Sequence, residues 1–192
     1  MLLLAATSVA VVLLSVPVPV HAAPALRPHL CEEGKPDSRG RSSVDGTELA
    51  WDGSTKFDDA RRHAAKVWTA GTLKQVRIKP DGATSYADVE WKDTHQTGGG
   101  WLQVYGRWDP NPGTDYLWMN GAYLDKGKSL GTDTHRGQVA AHELGHALGF
   151  CHKAYGTGRY PSLMYRVYDS IAAKKINAPT TVDIKGYHAL WG

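Results

Sequence analysis

The stretch VAAHELGHALGFCH, Val139 to His152, carries three histidines, one glutamate, two glycines and one cysteine in fourteen residues. Val139, Leu144, Ala147 and Leu148 recur at helical spacing, which predicts a helix over Gln138 to Phe150. On that helix His142 and His146 are four residues apart and share a face, so two imidazoles reach one metal ion without bending the backbone. Glu143 adjoins the first of them and is placed beside the metal, within reach of a bound water. Gly149 follows the second histidine by three residues and can end the helix with positive φ, turning the chain so that His152 returns as a third ligand. Three neutral imidazoles with an open fourth position are the arrangement of catalytic zinc, whereas a structural site closes the shell with another protein ligand. Zinc lowers the pKa of its water from about 15.7 to about 7. Glu143 is the natural acceptor of that proton and its donor to a leaving amine. A bare H-E-x-x-H also occurs in ordinary helices; the third histidine after Gly149 meets a geometric demand that an incidental helix lacks. Cys151 is a competing thiolate beside His152, but the spacing favours the histidine. His21, His29, His63, His95, His135 and His188 have no partner at ligand spacing and read as solvent-facing or structural.

Working outward, 192 residues suit one domain with its own core. A net charge of +3 and scattered basic residues, with no long run and no aromatic-interleaved stripe, argue against a nucleic-acid partner. Leu2 to Val16 is an apolar run broken by Pro17 and Pro19, and Val20-His21-Ala22 offers small residues at the −3 and −1 positions of a cleavage site. Residues 1–22 therefore read as a secretory signal peptide. The prolines stop the run short of the ~20 residues a spanning helix needs, so no membrane anchor is expected once the signal is cleaved. Export to an oxidising compartment makes Cys31 and Cys151 candidates for a disulfide, which would stabilise the fold by roughly 2–5 kcal/mol.

Residues 23–46 are rich in Pro, Gly, Ser and charge without apolar period, an N-terminal arm or short pro-segment. The catalytic domain is expected over residues 47–192. Leu49-Ala50-Trp51 reads as a short strand. Phe57, Ala60, Ala64, Val67 and Trp68 predict an amphipathic helix ending near Gly71, with Ser54 or Thr55 as cap and Asp58 and Asp59 in its first turn. LKQVRIK, ADVEW, WLQVYG and YLWMN, between Leu73 and Leu124, are β-branched and aromatic runs separated by Gly, Pro, Asn and Asp, and predict a sheet of four or five strands. A last helix starts at Thr180, with Asp183 three residues on and Ile184, Tyr187, Leu190 and Trp191 following.

His142 through His152 resembles the metzincin signature H-E-x-x-H-x-x-G-x-x-H, and Ser162-Leu163-Met164-Tyr165 resembles its Met-turn. Within that clan the chain is most similar to the matrixins, in a minimal bacterial-type form. ADVEW at Ala87–Trp91 resembles their third strand, the Ala64–Trp68 helix their first, and DIKGYHALWG at Asp183–Gly192 the end of their last. The small size and Gly-rich middle are also similar to the snapalysins, but those commonly use aspartate as third ligand where this chain has His152. The resemblance implies an α+β fold: a twisted mixed sheet with two helices, an active-site cleft, and a small irregular C-terminal part ending in a helix. It implies Met164 as a hydrophobic floor of the metal site, and Tyr165, Arg166, Val167 and Tyr168 as a wall of the substrate pocket. By analogy Asp183 braces the Met-turn, although helix capping alone would also explain it. Matrixins typically carry a second zinc and calcium loops before the active-site helix; here that region offers only His95, so one catalytic Zn2+ is expected, and structural Ca2+ has no motif. Cys31-Glu-Glu-Gly-Lys-Pro-Asp37 is similar to the pro-segment motif whose cysteine caps the zinc, with Arg39 to Arg41 as a processing site, which competes with the Cys31–Cys151 disulfide.

Together these readings predict a secreted, extracellular, monomeric zinc endopeptidase acting on polypeptides, with an extended substrate added to an exposed strand edge such as that of YLWMN. The alternatives are a catalytically silent zinc-binding interaction module and a zinc amidase acting on non-protein amides. Glu143 speaks against the first, since a silent site needs no carboxylate there.

Overall fold

The computed structural model describes residues 34–82, 86–153, 161–166 and 176–192. The proposed signal peptide, Cys31, Val167 and Tyr168 lie outside the described residues.

Five strands form one mixed sheet: β1 (Glu48–Asp52), β2 (Arg77–Pro80), β3 (Val89–Thr94), β4 (Gly106–Asp109) and β5 (Asp115–Asn120), in the order β2-β1-β3-β5-β4. The first four in that order run parallel, and β4 is antiparallel to β5, with Trp108 opposite Leu117. α1 (Asp58–Trp68) lies between β1 and β2 in sequence, in keeping with the need of parallel neighbours for a long crossover. It buries Ala60, Ala64 and Trp68, a stripe at four-residue steps, and Asp58 and Asp59 occupy its first turn as the sequence predicts. The Thr55 hydroxyl accepts the Phe57 N–H at 3.1 Å just ahead of it.

α2 (Gly121–Leu124) is a single turn capped by Asn120. α3 (Asp133–Ala147) is the helix predicted around the histidines, but it begins five residues earlier than Gln138, where the Thr132 hydroxyl accepts the His135 N–H. From Gly137 to Gly145 every residue of α3 is buried, so the helix is enclosed on all sides rather than laid on a surface. Trp68 of α1 packs against it and donates its indole N–H to the Ala141 carbonyl at 2.7 Å. α4 (Thr181–Trp191) closes the chain and buries Asp183, Tyr187 and Trp191. Among the described residues no helix is long and apolar enough to cross a membrane.

Two strand expectations are corrected. WLQVYG is not a strand: Gly99–Trp101 is a 3-10 turn, Gln103 has φ +56°, and extended pairing starts only at Gly106. An L-residue in the left-handed region breaks the pleat, so aromatic content there does not translate into a strand. YLWMN lies in β5, which pairs with β3 on one side and β4 on the other. It has no free edge to offer a substrate; the free edges of the sheet belong to β2 and β4.

Candidate functional site

His142, His146 and His152 come together. The Nε2 atom of His152 lies 3.1 Å from that of His146 and 3.2 Å from that of His142. Among the described residues they form one group of three able to hold a metal ion. Their tautomers follow from their other nitrogens. His142 Nδ1 is 2.8 Å from the Leu163 carbonyl and His146 Nδ1 is 2.9 Å from the Phe150 carbonyl. A carbonyl can only accept, so both Nδ1 atoms carry the proton and both Nε2 atoms present lone pairs to the centre.

Three ring nitrogens this close cannot satisfy one another, because at least two of them only accept; a cation between them satisfies all three. Zinc–imidazole bonds of about 2.0–2.1 Å in a tetrahedron set nitrogens roughly 3.3–3.4 Å apart, close to the spacing seen. The donor set therefore fits zinc. Electrostatics agree: burial and the neighbouring His152 hold the His142 pKa down to about 3, against 6.5 ordinarily. Burial and both other imidazoles hold His146 well below its ordinary value. Neutral imidazoles are what a metal requires.

Gly149 makes the third ligand's return with φ +93°. A Cβ there would also lie 2.5 Å from the Ser38 carbonyl, because the N-terminal arm crosses at that point. Ser38 N–H donates to the Gly149 carbonyl at 3.0 Å and Ser43 N–H to the Ala147 carbonyl at 2.8 Å, so residues 38–43 accept the role of partner to the open end of α3.

Glu143 is 7 % exposed. Its Oε2 accepts the backbone N–H of Trp108 on β4 at 2.8 Å, which ties the carboxylate to the edge strand. Burial pushes its pKa up to about 8, against the pull of that N–H and of the Arg107 charge. The Trp108 ring lies nearly parallel to His146, centroids 6.2 Å apart, and its indole N–H is directed at Ser43 and Asp115.

The Met-turn is held from three directions. The Leu163 carbonyl accepts the His142 Nδ1–H, and Lys153 N–H donates to the Met164 carbonyl at 2.7 Å, joining the turn to the residue after the third histidine. Asp183, 1 % exposed, accepts from the Ser162 hydroxyl at 2.6 Å, from Leu163 N–H at 2.8 Å and from Thr180 N–H at 2.8 Å. It both braces the turn and caps α4, so the two readings of this residue describe one arrangement. Burial raises its pKa, and these donors oppose the rise. Met164 is fully buried, and a Cβ at Gly145 would fall 2.4 Å from its sulfur, so glycine in this helical position is what admits the methionine.

Of the expected pocket wall, Tyr165 is buried at 1 % exposure and bridges to Lys153, while Arg166 is exposed. Cys151 stays out of the metal group and gives its N–H to Asp37 at 3.0 Å. Two site residues escape the sequence reading. Trp108 carries no motif, because a backbone donor is invisible in side-chain pattern. Asp37 sits in an aperiodic arm, and its only signal is the Pro36-Asp37 end of the cysteine-containing segment.

No curated protein sequence matches the chain. Among solved structures it is similar to myroilysin, at 14% identity over 59% of this chain and 53% of that one, with a TM-score of 0.42. The chain thus spans about half the length of that protein. It is also similar to high choriolytic enzyme 1, a hatching enzyme zinc-protease from Oryzias latipes (medaka fish), at 17% identity over 75% of this chain and 88% of that one, with a TM-score of 0.45. The family model that matches, over residues 44–192, is that of the matrixins, Peptidase_M10. With the match spanning most of the sequence and the three-histidine centre lying inside it, the chain belongs to the matrixin family of zinc metallopeptidases.

Proposed function

We propose that this protein is a secreted zinc endopeptidase in which His142, His146 and His152 hold one zinc and Glu143 moves the proton. The observation that carries the reading is the convergence of three imidazole Nε2 atoms, that of His152 within 3.2 Å of each of the other two, next to a buried carboxylate held by the sheet's edge. Bound zinc supplies Lewis acidity, which polarises a carbonyl and lowers the pKa of a water to about 7. Glu143 takes the proton of the attacking water and passes it to the departing amine nitrogen. In the metal-free chain burial raises the proton affinity of Glu143, and the charge of a bound cation would draw it back toward the ionised form that a base must have. The Trp108 N–H keeps one of its oxygens fixed, leaving the other for the water.

The polypeptide substrate lies along β4, the sheet edge tied to Glu143, adding its backbone as a further strand. Of the pocket wall expected from Tyr165, Arg166, Val167 and Tyr168, exposed Arg166 is the described residue placed to meet the side chain after the scissile bond, with buried Tyr165 behind it. Pairing of Cys31 with Cys151 belongs to the same proposal; it is supported by there being no free cysteine among the described residues.

Metal analysis and cleavage of a denatured protein, run for wild type beside Glu143→Ala, test the reading. The variant is expected to retain one zinc and to lose about 10²–10⁴-fold in kcat/KM. Equal cleavage by both forms refutes the mechanism, and zinc binding without cleavage by either favours the silent interaction module.

A further inference from the structure

His152 is the one metal ligand outside a helix, and its two chain neighbours are gripped by the same carboxylate. Asp37 Oδ1 accepts the Cys151 N–H at 3.0 Å and the Lys153 ammonium at 2.5 Å. The ion pair is buried, with side-chain exposures of 3% for Lys153 and 14% for Asp37. The ammonium also lies 3.4 Å from Cys151 Sγ. On its other side the segment is held by Lys153 N–H on the Met164 carbonyl. Asp37 reaches this place because the arm is itself pinned: Ser38 and Ser43 bond to the end of α3, and the Arg39 guanidinium bonds to the Leu190 carbonyl and covers the Trp191 ring.

Resting on the zinc-site reading above, we propose that Asp37 is a positioning residue for the third zinc ligand, and that the segment Asp37–Arg41 is a permanent part of the metal centre rather than a removable pro-segment.

Two physical effects make the arrangement matter. A loop ligand has no helix to hold its ring, so the backbone on either side must be fixed for the imidazole to meet the other two, and a carboxylate accepting from both flanking residues does this. A positive charge placed one residue from a divalent cation opposes its binding; Asp37 cancels that charge at contact distance. Charge-assisted bonds in a buried setting are strong enough for both tasks. Partners of this outer kind change metal affinity by about 10–100-fold when removed. A cut at Arg39 to Arg41, which a processing site would invite, would separate Asp37 from the catalytic domain and weaken zinc binding instead of releasing activity.

The test uses the full chain with the wild type, Asp37→Asn, Asp37→Glu, and the double variant Asp37→Leu with Lys153→Met, which leaves the Cys151 N–H without its acceptor. The double variant leaves no unpaired buried ammonium, which guards against simple misfolding. Three readouts are taken: melting of the metal-free protein, zinc affinity by competition with a chromogenic chelator, and the visible absorption of the cobalt(II)-substituted protein. The expected result is a metal-free melting point for the double variant within a few degrees of wild type, zinc affinity at least 10-fold weaker, and an altered cobalt band. Asp37→Glu is expected to recover affinity to within about threefold. Wild-type affinity and an unchanged cobalt band in the folded double variant overturn the proposal while leaving the zinc centre intact. Failure of wild type itself to bind zinc overturns both.

Discussion

Gly149 shows how much one residue carries. Its φ of +93° is required for the chain to leave α3 and return His152, and the Ser38 carbonyl occupies the space a side chain would need. The first demand is readable from its position three residues after His146; the second is not, because nothing in the sequence brings residue 38 beside residue 149. Gly149→Ala is expected to cost about 1–3 kcal/mol from the backbone conformation. It should also lower zinc occupancy, since the strain is relieved by moving the third ligand. Chemical denaturation of the metal-free protein and metal content after dialysis check the two effects. A variant as stable as wild type with full zinc would mean that the arm yields instead.

At the scale of elements, the site is one helix with two supports. α3 presents two imidazoles and the carboxylate, β4 anchors the carboxylate through a backbone N–H, and α4 anchors the Met-turn through Asp183. Asp183→Asn keeps the shape, but Leu163 N–H and Thr180 N–H share one oxygen, so the amide N–H₂ either faces both of them and leaves both without an acceptor or faces the Ser162 hydroxyl, which then loses its own. A loss of about 1–3 kcal/mol is expected in urea denaturation, with the unfolding slope unchanged. α1 was legible by its stripe, Ala60, Ala64 and Trp68, although its N-cap is Phe57 without a capping side chain where the sequence offered Ser54 or Thr55, and α4 was legible by the capping box of Thr180 with Asp183. The strands were legible as β-rich runs, but their order was not. Nothing in YLWMN says that another strand lies on each side of it, since hydrogen-bond partners in a sheet are chosen by the rest of the chain.

For the whole molecule, the metal centre sets how stability depends on pH. In metal-free protein the fold keeps His142 near pKa 3 and His146 also depressed, whereas the unfolded chain protonates its imidazoles near 6.5. The stability they contribute is complete above about pH 6.5 and is lost as pH falls toward 3. Glu143 has the opposite sign: its pKa is raised from 4.5 to about 8, so the stability it contributes is present below 4.5 and is lost as pH rises to 8. Metal-free protein should therefore melt progressively lower as pH falls below 6.5, two imidazoles outweighing one carboxylate. It should also melt lower as pH climbs from 6.5 to 8, and Glu143→Gln should flatten that upper limb and steepen the lower one, where the carboxylate partly offsets the imidazoles. Thermal melts of chelator-treated wild type and variant across pH 5–8.5 check both limbs. Zinc at a thousandfold its dissociation constant adds about 4.1 kcal/mol, a rise on the order of 10 °C for a domain of this size, and the gain fades on acidification as imidazoles protonate. By itself, the sequence determined the chemistry of the centre. Ligand identity, the glutamate beside it and the glycine hinge lie within eleven consecutive residues, where helical periodicity fixes the directions of His142, Glu143 and His146 and the turn at Gly149 returns His152. Only the tertiary structure decided what holds that chemistry in place: the Trp108 N–H, the Asp183 brace and the Asp37 clasp come from residues 35 or fewer positions away to more than a hundred, and such contacts are chosen by packing of the whole chain, which no local pattern encodes.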